Sequence, residues 1–194
     1  QASAVGMFIN ETQLLCTSPP VHPESAGSFA LTLSLNAGQD QCTGETGNFD
    51  YYRAPYIEAV EPPMISVVRR GDLASAEPTT LRVIGAGLNQ TGMLWSRFGA
   101  ANATACTITN DSSAVCLAPV SHAGGRVQIQ LSLNGVDWSN AAHPNSTASV
   151  YFTYVPVVTS HNPSLGPRSG GTKISVYGYG FEAVSPHGLS WCAF

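Results

Sequence analysis

The stretch of sequence that decides the fold runs from residue 156 to residue 181 and reads P-V-V-T-S-H-N-P-S-L-G-P-R-S-G-G-T-K-I-S-V-Y-G-Y-G-F. Its centre, residues 162–171, is rich in proline, which fixes φ at roughly −65°, and in glycine, which allows positive φ, so the chain should reverse there. Short β-type segments lie on both sides, at residues 157–158 and 173–177. In the second segment Ile174 and Val176 alternate with polar residues, as in a strand with one buried face. The stretch therefore predicts two β-strands joined by a turn.

The residues that follow predict a bend: Gly178 and Gly180 let the chain turn away, and Phe181 is expected to return to the core. The whole pattern, P-x-x-G-P-x-x-G-G-T followed by an alternating strand and G-x-G-F, resembles the opening of an IPT/TIG domain. That family consists of immunoglobulin-like β-sandwiches and is named for its presence in plexins and some transcription factors. The resemblance implies an all-β fold of tandem immunoglobulin-like sandwiches. The alternative is an ordinary glycine-rich hairpin.

The same pattern recurs earlier in the chain, at an interval of roughly 100 residues, which is the size of one immunoglobulin-like sandwich. Residues 55–57 correspond to residues 156–158, and residues 81–88 correspond to residues 174–181, with a short insertion around residues 65–76 between them. The segment around Cys116 likewise resembles the segment around Cys16. We therefore predict one complete domain and two partial ones: the C-terminal half of a domain at 1–53, a complete domain at 54–154, and an N-terminal half at 155–194.

Composition narrows the function of the chain. Of its 194 residues 43% are hydrophobic and only 10% are charged, with a formal net charge of −4. An acidic chain of this kind lacks the basic footprint of a protein that binds phosphate backbones, so we expect no nucleic-acid partner. No apolar run approaches the roughly 18 residues of a membrane span, so any membrane anchoring should lie outside this segment. Without an initiator methionine or a leader, the chain is expected to be an internal piece of a longer protein.

Five asparagines occur in the pattern N-x-S/T, more than chance would give. They are Asn10, Asn89, Asn102, Asn110 and Asn145. Together they favour a secreted, extracellular glycoprotein that carries N-linked glycans.

Five cysteines in such a protein predict disulfides with one cysteine left over. The spacing of Cys106 and Cys116 suits a bridge between neighbouring strands; the alternative is two free buried thiols. The family resemblance implies that Cys192 bonds a later cysteine of its own domain. By the same reasoning Cys16 needs an earlier partner, although Cys42 could take that place, and these pairings stay open.

The sequence offers no candidate for catalysis, a metal or a cofactor. Zinc-ligand spacings and a G-x-S-x-G nucleophile elbow are absent, and the acidic residues are scattered singly rather than in a calcium-loop pattern. We therefore expect neither an enzyme nor a metal or cofactor site.

Two features are candidate partner contacts. Arg69 and Arg70 in the insertion are the only basic pair and could bind a sulfated or carboxylated glycan, although a solvated loop is the alternative. Trp138 follows the turn signal Asn134-Gly135 and is expected at an exposed loop tip.

These observations predict a non-catalytic structural or interaction module. Links as short as residues 53–55 and 155–156, without a flexible Gly/Ser linker, should stack the domains into a semi-rigid rod whose partners are other protein subunits or copies of itself. The first expectation is a rod within a surface fibre similar to flagellar hairs. The alternatives are an ectodomain segment of an adhesion or receptor protein and an accessory domain of a secreted polysaccharide-acting enzyme.

Overall fold

The computed structural model describes residues 4–22, 27–36, 39–40, 42, 47–139, 149–182 and 192–193. Within these ranges every regular element is a β-strand, apart from one 3-10 turn at Arg70–Asp72. The predicted all-β fold class is confirmed. The chain divides into two compact units, Gln1–Arg53 and Ala54–Phe194. The division falls at the first predicted boundary, and the assignment of repeat domains stays a prediction.

The first unit contains two antiparallel strand pairs. Strand β1 (Gly6–Asn10) pairs with β2 (Gln13–Cys16), and β3 (Gly27–Ala30) pairs with β4 (Asn48–Tyr51). Both pairs are too short to bury a large core, and apolar side chains such as Phe8 (70% exposed) lie open to solvent in this chain.

The second unit contains a two-sheet sandwich. Its first sheet is antiparallel, with the strand order β10-β11-β7-β5, where β5 is Tyr56–Glu61, β7 is Thr79–Ala86, β10 is Thr107–Asn110 and β11 is Ser113–Ala118. This order places β7 in the centre, between β5 and β11.

The second sheet of the sandwich has five strands in the order β6-β13-β12-β8-β9. These are β6 (Met64–Ser66), β8 (Trp95–Phe98), β9 (Thr104–Ala105), β12 (Gly125–Ser132) and β13 (Tyr151–Val155). Neighbours are antiparallel except β6 and β13, which run parallel. Strand β6 belongs to the region where the sequence predicts an insertion, so the insertion adds an edge strand to this sheet.

The core lies between the two sheets, at alternate positions of their strands. The side chains of Leu81 and Val83 in β7 and of Ile129 and Leu131 in β12 are all fully buried. Phe152 of β13 is also fully buried, and its ring packs edge to face against the rings beside it. Burial of a side chain of this size stabilises a fold by about 1.5–3 kcal/mol, so these strands hold the sandwich together.

A third pair of strands follows the sandwich: β14 (Val157–Asn162) pairs antiparallel with β15 (Ser175–Tyr179). The predicted turn between them is present, but the second strand begins two residues later than predicted. Phe181 was expected to return to the core, and this is wrong, because its side chain is 48% exposed. Among the described residues, β14 and β15 pair only with each other and form a two-stranded sheet.

One glycine of the sandwich and one glycine of the hairpin that follows it have the same structural role. Gly85 in β7 lies opposite a bulge in β5, and a Cβ atom there would collide with the carbonyl oxygen of Tyr56. Gly178 in β15 lies opposite a bulge in β14, and a Cβ atom there would collide with the carbonyl oxygen of Val157. Only glycine therefore allows β5 to approach β7, and β14 to approach β15, so closely.

Candidate functional site

The candidate functional site is the junction at which the sandwich passes into the next hairpin. Strand β13 ends at Val155 and β14 begins at Val157, so Pro156 is the entire link. The carbonyl oxygen of Val155 accepts a hydrogen bond of 3.0 Å from the backbone N–H of Val67. The chain therefore leaves β6 directly beside the link, where the residues after β6 can contact the following hairpin.

The hairpin contacts the sandwich through backbone at two glycines. The N–H of Gly124 donates a hydrogen bond of 3.0 Å to the carbonyl oxygen of Gly180. Gly180 has a φ of 82°, and a Cβ atom at this position would collide with the side chain of Val67. Val67 is itself only 3% exposed. A Cβ atom on Gly124 would lie 2.8 Å from Cγ of Pro156. Both glycines are therefore required for the observed approach.

Charged and aromatic side chains surround this backbone contact. Nη2 of Arg70 lies 2.7 Å from Oε2 of Glu182, and Nε2 of His122 lies 3.7 Å from the same oxygen. The guanidinium carbon of Arg69 lies 5.4 Å from the ring centroid of Tyr179. Since the side chains of Arg70 and Glu182 are about two-thirds exposed, an ion pair of this kind contributes about 0–1 kcal/mol. This ion pair therefore adds little to the stability of the junction.

Arg69 and Arg70, predicted as a contact for an external partner, thus lie against the following segment of their own chain. The sequence gave no signal for this contact, because Glu182 and Tyr179 are more than 100 residues away.

The disulfide predicted between Cys106 and Cys116 is present, with Cα atoms 4.4 Å apart. Cys106 stands where the chain leaves β9 for β10, and Cys116 lies in β11, so the bridge ties the edge of one sheet to the other. The alternative of two free thiols is therefore wrong. Cys16, Cys42 and Cys192 are free and exposed, and the alternative pairing of Cys16 with Cys42 is not formed.

Two of the predicted glycosylation sites lie at corresponding hairpin turns. Oδ1 of Asn10 accepts hydrogen bonds from the backbone N–H and the hydroxyl of Thr12, both at 3.0 Å. Oδ1 of Asn110 accepts the same two bonds from Ser112, both at 2.9 Å. Occupancy of the sites stays a prediction. Asn145 lies outside the described residues. The structure describes the other four sites, and all of them are exposed: Asn10, Asn89, Asn102 and Asn110.

Trp138 does not form an exposed tip. It is half-buried, and the guanidinium carbon of Arg97 lies 4.3 Å above its ring. Nε and Nη2 of Arg97 both donate to Oε1 of Gln130, at 3.1 and 2.7 Å. The tryptophan is thus part of the outer face of the five-stranded sheet.

Within the ranges that the structure describes, no group of three or more His, Cys, Asp or Glu side chains could hold a metal ion. In the same ranges, no helix has the length and apolar character needed to cross a membrane.

The chain was compared with protein-family models, curated proteins and solved structures. No protein-family model matches the chain, and no curated protein matches it. Among solved structures, the chain is similar to the full extracellular region of plexin A4, domains 1 to 10, with a TM-score of 0.44 and 19% sequence identity. The match covers 83% of this chain and 15% of that chain, so the chain spans a small part of the plexin region's length. At this TM-score the likeness carries no argument about function.

Proposed function

We propose that the chain is a non-catalytic structural and interaction module of a secreted or cell-surface glycoprotein, in which IPT/TIG-type sandwiches follow one another in fixed relation. The observation that carries this proposal is the junction, where the backbone of Gly124 bonds the backbone of Gly180 over the buried side chain of Val67. A catalytic group has no part in this arrangement.

The junction supports stiffness by a simple physical argument. A flexible linker lets two domains reorient because its residues populate many φ and ψ values. Here the link is a single proline, whose φ is fixed, and the neighbouring backbone forms a hydrogen bond across it. Repeats joined in this way transmit orientation from one to the next, as in other tandem arrays, and form a semi-rigid rod.

An extracellular location is supported by chemistry on the surface of the sandwich. Stable disulfides form in oxidising compartments, and Cys106 and Cys116 form one. The described asparagines of the N-x-S/T pattern are exposed, so glycans could be attached without disturbing the core. Partners in this proposal are N-linked glycans and other subunits or copies of the chain itself.

The parent assembly in our proposal is a surface fibre similar to flagellar hairs, since a rod of coupled repeats can carry load along its axis. An adhesion or receptor ectodomain is the second candidate, because the same coupling would hold a binding domain away from a membrane.

The experiment that tests the proposal is light scattering with negative-stain imaging of the native parent protein, extracted without detergent. Long, regular particles of very high mass are the expected result. A discrete monomer or dimer would overturn the fibre and leave the receptor or adhesion ectodomain. Turnover of a polysaccharide by the purified parent would overturn the non-catalytic reading and indicate an accessory domain of an enzyme.

A further inference from the structure

The outer face of the five-stranded sheet differs in charge from the rest of the chain. Strands β6, β8, β9, β12 and β13 contain two arginines, Arg97 and Arg126, and no aspartate or glutamate. The strands of the opposite sheet contain Glu58, Glu61 and Arg82, and Nη1 of Arg82 lies 3.7 Å from Oε2 of Glu61. In a chain with a net charge of −4, this face is therefore a local basic surface.

Arg97 is fixed by its neighbours and still has N–H donors without a partner among the described residues. Its guanidinium group stacks on Trp138 and donates twice to the side-chain oxygen of Gln130. A guanidinium group has five N–H donors, so three remain, and the stacking keeps them fixed in one plane. Among the described residues, no carboxylate lies within 4.0 Å of this group to take them.

Arg126 repeats the arrangement further along the sheet. Its guanidinium carbon lies 4.6 Å from the ring centroid of Tyr151, and within the described residues it too has no carboxylate partner. Positions 126, 128 and 130 of β12 share one face, since side chains alternate along a strand. Arg97 lies opposite Gln130 on the neighbouring strand. Its Cα atom and that of Arg126 are therefore about 13 Å apart along the strand direction, with Gln128 between them.

We propose that this arginine face, formed by Arg97, Arg126, Gln128, Gln130, Trp138 and Tyr151, binds an anionic polysaccharide that carries sulfate or carboxylate groups. Guanidinium groups bind both anions with paired N–H donors, and two of them on one flat face match charges repeated along a linear polymer. Nε2 of Gln128 already donates to Ser149, and Oε1 of Gln130 already accepts from Arg97. Oε1 of Gln128 and Nε2 of Gln130 can still bond sugar hydroxyls.

A polysaccharide fits this face better than an acidic peptide. The backbone N–H groups of β12 are already bonded to β8 and β13 on its two sides, so the face offers a peptide no main-chain partners. Peptides that bind sheets do so at a free edge for that reason. A polysaccharide is bound through its hydroxyl and anionic groups, and the side chains of this face can form hydrogen bonds with the first and ion pairs with the second.

The test measures binding of the whole chain to immobilised heparin, as a sulfated probe, and polygalacturonate, as a carboxylated probe. Dextran serves as a neutral comparison and polyglutamate as an acidic peptide. The double variant R97Q/R126Q removes both guanidinium groups, and R82Q/R168Q is the matched control, because it removes the same charge from exposed arginines elsewhere. R126Q alone is included because Arg126 is exposed and its loss should not disturb folding.

The expected result is binding to heparin, to polygalacturonate or to both, weakened by salt. R97Q/R126Q should lower the affinity at least about tenfold, R126Q about threefold, and the control less than about twofold. The proposal is overturned by absence of binding to both anionic glycans, by equal binding to dextran, or by an equal loss in the control variant. Binding to polyglutamate without binding to either glycan would assign the face to an acidic protein instead.

Discussion

The hydroxyl group of Tyr154 donates a hydrogen bond of 2.7 Å to the carbonyl oxygen of Pro119, which joins the last strand of the sandwich to the turn after β11. In the first unit the hydroxyl of Tyr51 makes the corresponding bond to the carbonyl oxygen of Pro19, at 2.9 Å. Tyr154 is only 3% exposed, and this burial raises its pKa to about 12. The buried phenol of Tyr154 therefore ionises less readily than an exposed tyrosine.

The first prediction follows from that pKa. Below pH 10 the phenol is protonated in both states, so it adds no pH dependence to the free energy of unfolding. Between about pH 10 and about pH 12 the unfolded chain loses this proton while the folded chain keeps it, so the free energy of unfolding should fall, by at most about 3 kcal/mol. Urea unfolding at pH 8 and pH 11 measures the fall.

Tyr154→Phe should remove this part of the fall. At pH 8 it should lower the free energy of unfolding by about 1–3 kcal/mol, because the half-buried carbonyl of Pro119 loses its partner. Tyr151→Phe, an exposed tyrosine on the same strand, is the control and should keep the fall. An unchanged fall in Tyr154→Phe would contradict the prediction.

The second prediction concerns the disulfide between Cys106 and Cys116. Replacing both cysteines with alanine should lower the free energy of unfolding by about 2–3 kcal/mol, because the bridge closes a loop of 10 residues and restricts the unfolded chain. Denaturant unfolding measures the change. Replacing the exposed Cys16 with serine should change it by less than about 0.5 kcal/mol. Equal effects of the two replacements would show that the bridge does not stabilise the sandwich.

The third prediction concerns Gly85. Gly85→Ala should lower the free energy of unfolding by more than about 3 kcal/mol, because the added Cβ collides with the backbone of β5 and the strand pair must separate. Gly71→Ala is the matched control: nothing lies within 4 Å of its Cβ position. The account of the bulge is wrong if the two alanine variants unfold at the same temperature.

Much of the sandwich could be predicted from the sequence because its signals are local. In β12, apolar residues alternate with polar ones, which predicts one buried face, and Ile129 and Leu131 are buried there. The spacing of Cys106 and Cys116 likewise indicated their bridge. Alternation alone does not fix where a strand ends: it continues from residue 29 to residue 35, whereas β3 ends at Ala30.

The candidate sites could be predicted only in part, because they depend on pairings between distant segments. Trp138 was identified as a contact residue, but its partner Arg97 lies on another strand and is brought to it by the register of β8 and β12. Arg70 was identified as well, but its contact with Glu182 depends on the direction the chain takes after Pro156. No local pattern encodes that direction.

Residue-resolved amide hydrogen exchange at Gly124, whose N–H is bonded across the junction, tests whether the hairpin is fixed to the sandwich. The amide of Gly124 should be protected in the unmodified chain. In Gly180→Ala the new methyl group collides with Val67, so exchange at Gly124 should accelerate at least about tenfold. Gly99, whose N–H bonds Gln128 within the sandwich, should stay protected in both proteins. Unprotected exchange at Gly124 in the unmodified chain, or an unchanged rate in Gly180→Ala, would contradict the coupling of the hairpin to the sandwich.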